Sequence, residues 1–197
     1  MLLRILVSSS LSVLCSIVGL LVAFMCFRRK HTPPKQLYVS PSILDNVSAF
    51  GLAQMLRDGK ITSVAALEDC IKRIEEINPT INAVVCKRFD EARKEAELAD
   101  VKLREAREND TLHLLPMLHG VPISVKECFA VTGMPQTSGL KSRCGFLAPQ
   151  DATVVSRLRE AGAIVVGVTN LSELCMWYVP CQAFSMFSIT SIDFVFV

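Results

Sequence analysis

The chain has 197 residues, a net charge of +2 and 51% apolar residues, enough for one domain of ordinary size once any membrane segment is set aside. Its positive charge gathers near one end with no basic stripe interleaved with aromatics, which argues against nucleic-acid binding. Eight cysteines and three histidines lack both Cys-x-x-Cys and metal-type spacing, so free, mostly buried thiols are expected, with no metal and no cofactor.

In chain order, residues 5–27 carry no charged side chain. As a helix rising about 1.5 Å per residue they would reach about 34 Å, enough for a hydrocarbon core of about 30 Å. A cleaved secretory signal is the alternative, but the run is long for one and ends at Phe27-Arg28-Arg29-Lys30 rather than at small residues. Residues 1–30 therefore read as an uncleaved, single-pass N-terminal membrane anchor. Arg28, Arg29, Lys30 and Lys35 outweigh the positive charge ahead of the span, which puts the bulk of the chain in the cytosol. Residues 31–41, with Pro33, Pro34 and Pro41, form a stiff linker.

A helical N-terminal region follows. Ser48 is expected to cap a helix to about Asp58, where Gly59 supplies a left-handed stop. Ser63 is expected to cap a second helix with Val64, Leu67, Ile71 and Ile74 inward, ending at Asn78-Pro79. Residues 81–86 suggest a short strand. From about Arg88 to Glu108 a long helix buries a narrow seam of Phe89, Ala92, Ala96, Ala99 and Leu103.

From Leu118 the pattern becomes α/β. Residues 121–125 read as a strand buried on both faces, as parallel strands are. After a loop rich in glycine and serine, Asp151 is expected to cap a helix with Val154, Val155 and Leu158 inward. Residues 163–168 form a second buried strand. A right-handed β-α-β crossover then brings both strand ends to one edge, where α/β enzymes place their sites.

Lys126 closes the first of these strands. Burial of an ammonium lowers its pKa, which is how a lysine becomes a base near neutral pH. A lysine snorkelling to solvent from a strand end is the plainer alternative. Around it, Leu118-His119-Gly120-Val121-Pro122-Ile123-Ser124-Val125-Lys126-Glu127, Gly133-Met134-Pro135-Gln136-Thr137-Ser138-Gly139, Asp151-Ala152-Thr153-Val154-Val155, Ala161-Gly162-Ala163 and Thr169-Asn170 occur in a fixed order. In that order and spacing they resemble the amidase signature family of serine hydrolases. Lys126-Glu127-Cys128-Phe129 and Glu173-Leu174-Cys175-Met176-Trp177-Tyr178, behind an N-terminal anchor, resemble its membrane-bound fatty-acid amide hydrolases.

That resemblance implies the first β-α-β part of a mixed amidase sheet over residues 42–178. It also implies hydrolysis of a carbon-nitrogen bond in fatty-acid amides, with Lys126 catalytic. There the lysine draws a proton through a bridging serine from a nucleophilic serine. Both serines sit in a segment of the type Gly-Gly-Ser-Ser-Gly-Gly, whose glycines let backbone N–H groups approach the oxyanion. The sequence given has no such segment, and residues 179–197 form a divergent tail without glycine. Ser124 and Ser138 are weak substitutes, Ser185, Ser188 and Ser191 weaker still, and Met176 and Trp177 could line an acyl channel or simply a core. The chain is thus expected to be a truncated amidase, inactive alone, with the bilayer and a fatty-acid amide as partners by lineage. The rival readings are a non-catalytic anchored fragment that binds a partner or a second copy through exposed sheet edges, and an unproductive translation product.

Overall fold

In a computed structural model the described residues are 40–176. The expected anchor, nearly all of the linker and the tail lie outside them, so the domain boundaries drawn from sequence stay expectations. Among the described residues no helix is long and apolar enough to cross a membrane.

Helix α1 spans Ala49–Asp58. The Ser48 hydroxyl accepts from Gly51 N at 3.0 Å, and Gly59, at φ 74°, ends the helix in the left-handed region, as the sequence suggests. Helix α2 spans Ser63–Ile81 and begins one residue earlier than anticipated, because Thr62 is its cap. Thr62 Oγ1 accepts from Ala65 N at 3.1 Å, while Ser63 is fully buried. Nor does α2 stop at Asn78-Pro79. Proline is tolerated here because Ile77 and Ile81 are buried on either side of it and Asn82, in the left-handed region, donates its N–H to Asn78 O at 2.7 Å.

Strand β1 is Val84–Lys87 and helix α3 is Phe89–Glu108. The α3 seam emerges nearly as read: Ala92, Ala96, Ala99 and Leu103 are buried, with Phe89 at the margin. Small side chains let α3 approach α2 closely, so Leu67, Ile71 and Ile74 pack with the three alanines and with the sheet.

Strand β2 (Pro122–Lys126), helix α4 (Thr153–Glu160) and strand β3 (Ile164–Thr169) complete the unit. The sheet runs β1-β3-β2, with β2 parallel and β1 antiparallel to β3. The result is a partial mixed sheet with the expected β-α-β crossover. Ile164 and Val166 face the α2 and α3 side. Val125, Val165 and Val168 face Val131, Met134 and Val155 on the α4 side.

Two details of α4 differ from expectation. Its cap position is Ala152, without a side-chain cap bond. The Asp151 carboxylate is engaged instead by Thr132 N at 2.7 Å and Thr132 Oγ1 at 2.8 Å. Only Val155 of the three apolar residues is fully buried, with Val154 facing outward. Eight residues make barely two turns, too few to bury more than one narrow stripe.

Candidate active site

The family motifs converge on the C-terminal ends of β2 and β3. Lys126 is the last residue of β2 and lies opposite Thr169 in the parallel register. The chain then turns, with Glu127 N donating to Thr169 O at 3.0 Å and Phe129 N to Lys126 O at 2.9 Å.

Alternation along β2 decides which side chains are dry. Val125 and Glu127 point into the protein, whereas Ser124 and Lys126 share the opposite, exposed face. The expectation that Lys126 is buried is therefore incorrect for these residues. A period of two, applied from Val125, sends the lysine outward. Within the described residues β2 is an edge strand, and Ser124 and Lys126 are both exposed on it. Beside its Ile123-Ser124 segment opens a cavity of about 240 Å³, bounded by Leu44, Leu52, Leu118 and Val121 among others.

Glu127 was legible only as a motif letter, yet it organises the site. Its carboxylate is 4% exposed and accepts from Thr137 N, in a short contact, and from Ser138 N at 2.9 Å. Thr137 Oγ1 in turn accepts from Gly139 N at 3.2 Å. Ser138 takes up φ 54° and its carbonyl accepts from Leu174 N at 2.8 Å. Ser138 is thus a turn residue held through its backbone. Gly139 is required by the same packing, because a Cβ there would lie 3.0 Å from Glu173 Cα and 3.1 Å from Glu173 N. The signal for Glu127 was available: the residue after an outward lysine points inward, and a buried carboxylate needs donors.

The Thr169-Asn170 end of β3 is tied to the β1 side. Asn170 N donates to Ala83 O at 2.8 Å and Asn170 Nδ2 to Asn82 O at 3.3 Å. Burial pushes the Cys128 thiol up; a hydrogen bond with Cys175 adds to this, and Lys126 opposes it. Met176 is exposed, while Trp177 and the tail serines lie outside the described residues.

Residues 65–187 match the sequence model of the Amidase family, well over half of the chain. The chain belongs to the amidase family. This amidase chain is 47% identical over 133 residues to fatty-acid amide hydrolase 2 of Homo sapiens, covering 67% of itself and 25% of that protein. It is 45% identical over 152 residues to fatty-acid amide hydrolase 2-B of Danio rerio, covering 76% and 28%. Among solved structures, native peptide amidase from Stenotrophomonas maltophilia superposes with a TM-score of 0.58 at 32% identity, over 68% of this chain and 26% of that one. The chain thus spans about a quarter of the length of the relatives it matches.

Proposed function

We propose that this amidase chain carries the lysine part of a serine hydrolase for fatty-acid amides, with Lys126 as its base and residues 5–27 as its membrane anchor. The supporting observation is the position of Lys126. It closes a parallel strand at the edge where the family motifs gather, with Ser124 on the same face. The likeness to type 2 fatty-acid amide hydrolases supports the substrate class.

The chemistry asks for more than these residues supply. A lysine that accepts a proton must be neutral, which in a protein requires desolvation. Lys126 is exposed among the described residues, so its desolvation has to come from further chain packed over it. A nucleophile and its bridging serine have to come from a glycine- and serine-rich segment that the 197 residues do not contain. The chain alone is expected to hydrolyse no amide.

A chimera separates lineage from present activity. Residues 65–176 replace the matching part of human fatty-acid amide hydrolase 2, and turnover of an oleamide-like substrate is measured. Turnover that falls by about 10³-fold or more in Lys126→Ala supports the assignment; turnover indifferent to Lys126 refutes it. The native chain alone is expected to resist a fluorophosphonate serine probe. Clear labelling lost in Lys126→Ala would show that it holds its own nucleophile.

A second reading rests on the β2 edge, whose backbone groups have no strand partner among the described residues on one side. Such an edge pairs readily with another chain, so a partner-binding role follows if the chain co-purifies with a complete homologue.

A further inference from the structure

Three separate pieces of chain meet through one buried carboxylate beside Lys126. Glu127 Oε1 accepts from Thr137 N and Oε2 from Ser138 N, so both oxygens are spent on main chain. Bonds to an anion are stronger than neutral ones and fix direction more tightly. The turn that carries Lys126 is held at each of its residues. Phe129 N closes it onto Lys126 O at 2.9 Å, Glu127 N donates to Thr169 O at 3.0 Å, and Gln136 Nε2 donates to Cys128 O at 3.2 Å.

The same loop reaches on to the chain that follows β3. Leu174, in the 3₁₀ turn Glu173–Cys175, donates its N–H to Ser138 O at 2.8 Å. A Cβ on Gly139 would lie 3.0 Å from Glu173 Cα, so that contact is already tight. β2 has no strand on its outer side among the described residues; Lys126 therefore depends on these ties for its place. We propose that Glu127 is a positioning residue for Lys126, clamping the lysine turn, the 137–139 loop and the Glu173–Cys175 turn into one end of the sheet.

The role rests on Lys126 serving as the base, and it makes a demand that bare stability does not. A misplacement of about 1 Å at a reacting group can cost about 10²-fold in rate. Glu127→Gln puts an NH₂ where an acceptor faces a backbone amide, which pushes the loop away from the turn. Glu127 points inward, opposite to Ser124 and Lys126, so the change falls on placement of the lysine rather than on any group that meets substrate.

The coupling is read first by amide exchange in the full chain in detergent micelles. In Glu127→Gln, Leu174 N keeps its own acceptor, yet it should exchange at least about tenfold faster, together with Thr137 and Ser138. Gly51 and Ala65, bonded to the caps of α1 and α2, should keep their rates. An unchanged Leu174 refutes the clamp. The effect on catalysis is read in the chimera with human fatty-acid amide hydrolase 2, per mole of protein that keeps the native circular dichroism spectrum. Glu127→Gln is expected to lower kcat about 10- to 10²-fold with KM within about twofold, and to cost less than about threefold once Lys126 is alanine. A residue that acts through the lysine has nothing left to place there. An equal loss in both backgrounds, or a change confined to KM, refutes the positioning role alone. Turnover indifferent to Lys126→Ala refutes the base and the positioning role together. If Glu127→Gln yields no folded protein, Gly139→Ala, which presses on Glu173 from the same loop, carries the comparison with the same expected and refuting results.

Discussion

At the residue scale the most exacting position is Glu127, a carboxylate taken out of water and repaid only by the Thr137 and Ser138 amides. Glu127→Gln keeps the shape but replaces one acceptor oxygen with a donor that faces a donor. We expect a loss of about 1–3 kcal/mol, read from urea midpoints, with faster amide exchange at Thr137 and Ser138 than elsewhere in the domain. Asp151 gives a pH signature. Burial alone would raise its pKa, but hydrogen bonds from Thr132 and the charges of Arg159 and Arg88 hold it below the ordinary 3.8. A depressed carboxylate stabilises the fold fully above its unfolded value and ceases to do so as pH falls through the lower folded value. Asp151→Asn should therefore be less stable than the native chain at neutral pH, and the gap should close as denaturation is followed from about pH 4 downward. A gap that persists in acid would mean that shape, not charge, is at stake.

At the element scale the helices are capped by one another. The Asp100 carboxylate, on α3, accepts from Ser63 N at 2.7 Å and Val64 N at 3.1 Å, the first amides of α2. These are donors that a helix start leaves unsatisfied, and an anion there also suits the helix dipole. Asp100→Ala is expected to cost about 1–2 kcal/mol in thermal or urea unfolding, with the circular dichroism change concentrated in helix loss. Helix positions and the seam of α3 were readable because a period of 3.6 is written in Leu67, Ile71, Ile74 and the alanines. The α2 terminus was not, because Asn78 exchanges hydrogen bonds of 2.9 and 2.7 Å with Val84, a tertiary tie that carries the helix past Pro79. The Asp151 cap failed for a similar reason: Thr132, 19 residues away in sequence, claims the carboxylate first. At the site, motif order pointed to Lys126, whereas its exposure depended on which face of β2 is covered, information held by neighbouring strands rather than by the lysine.

At the scale of the whole molecule, an edge strand with apolar Ile123 beside an open cavity is a surface that invites pairing. The chain is expected to self-associate with rising concentration in sedimentation velocity runs, and Ser124→Lys, which adds a charge to the exposed face of that strand, to shift the distribution toward monomer. No shift would place the contact elsewhere. The strand order carries another consequence. The centre of the sheet, β3, is the last in sequence of the three strands among the described residues. During synthesis α2 and α3 can dock as a helical hairpin, but among the described residues β1 and β2 have no strand partner until β3 has left the ribosome. The nascent chain therefore passes through a stage in which two strands wait unpaired, and protection from chaperones is most needed between the emergence of Lys87 and that of Thr169.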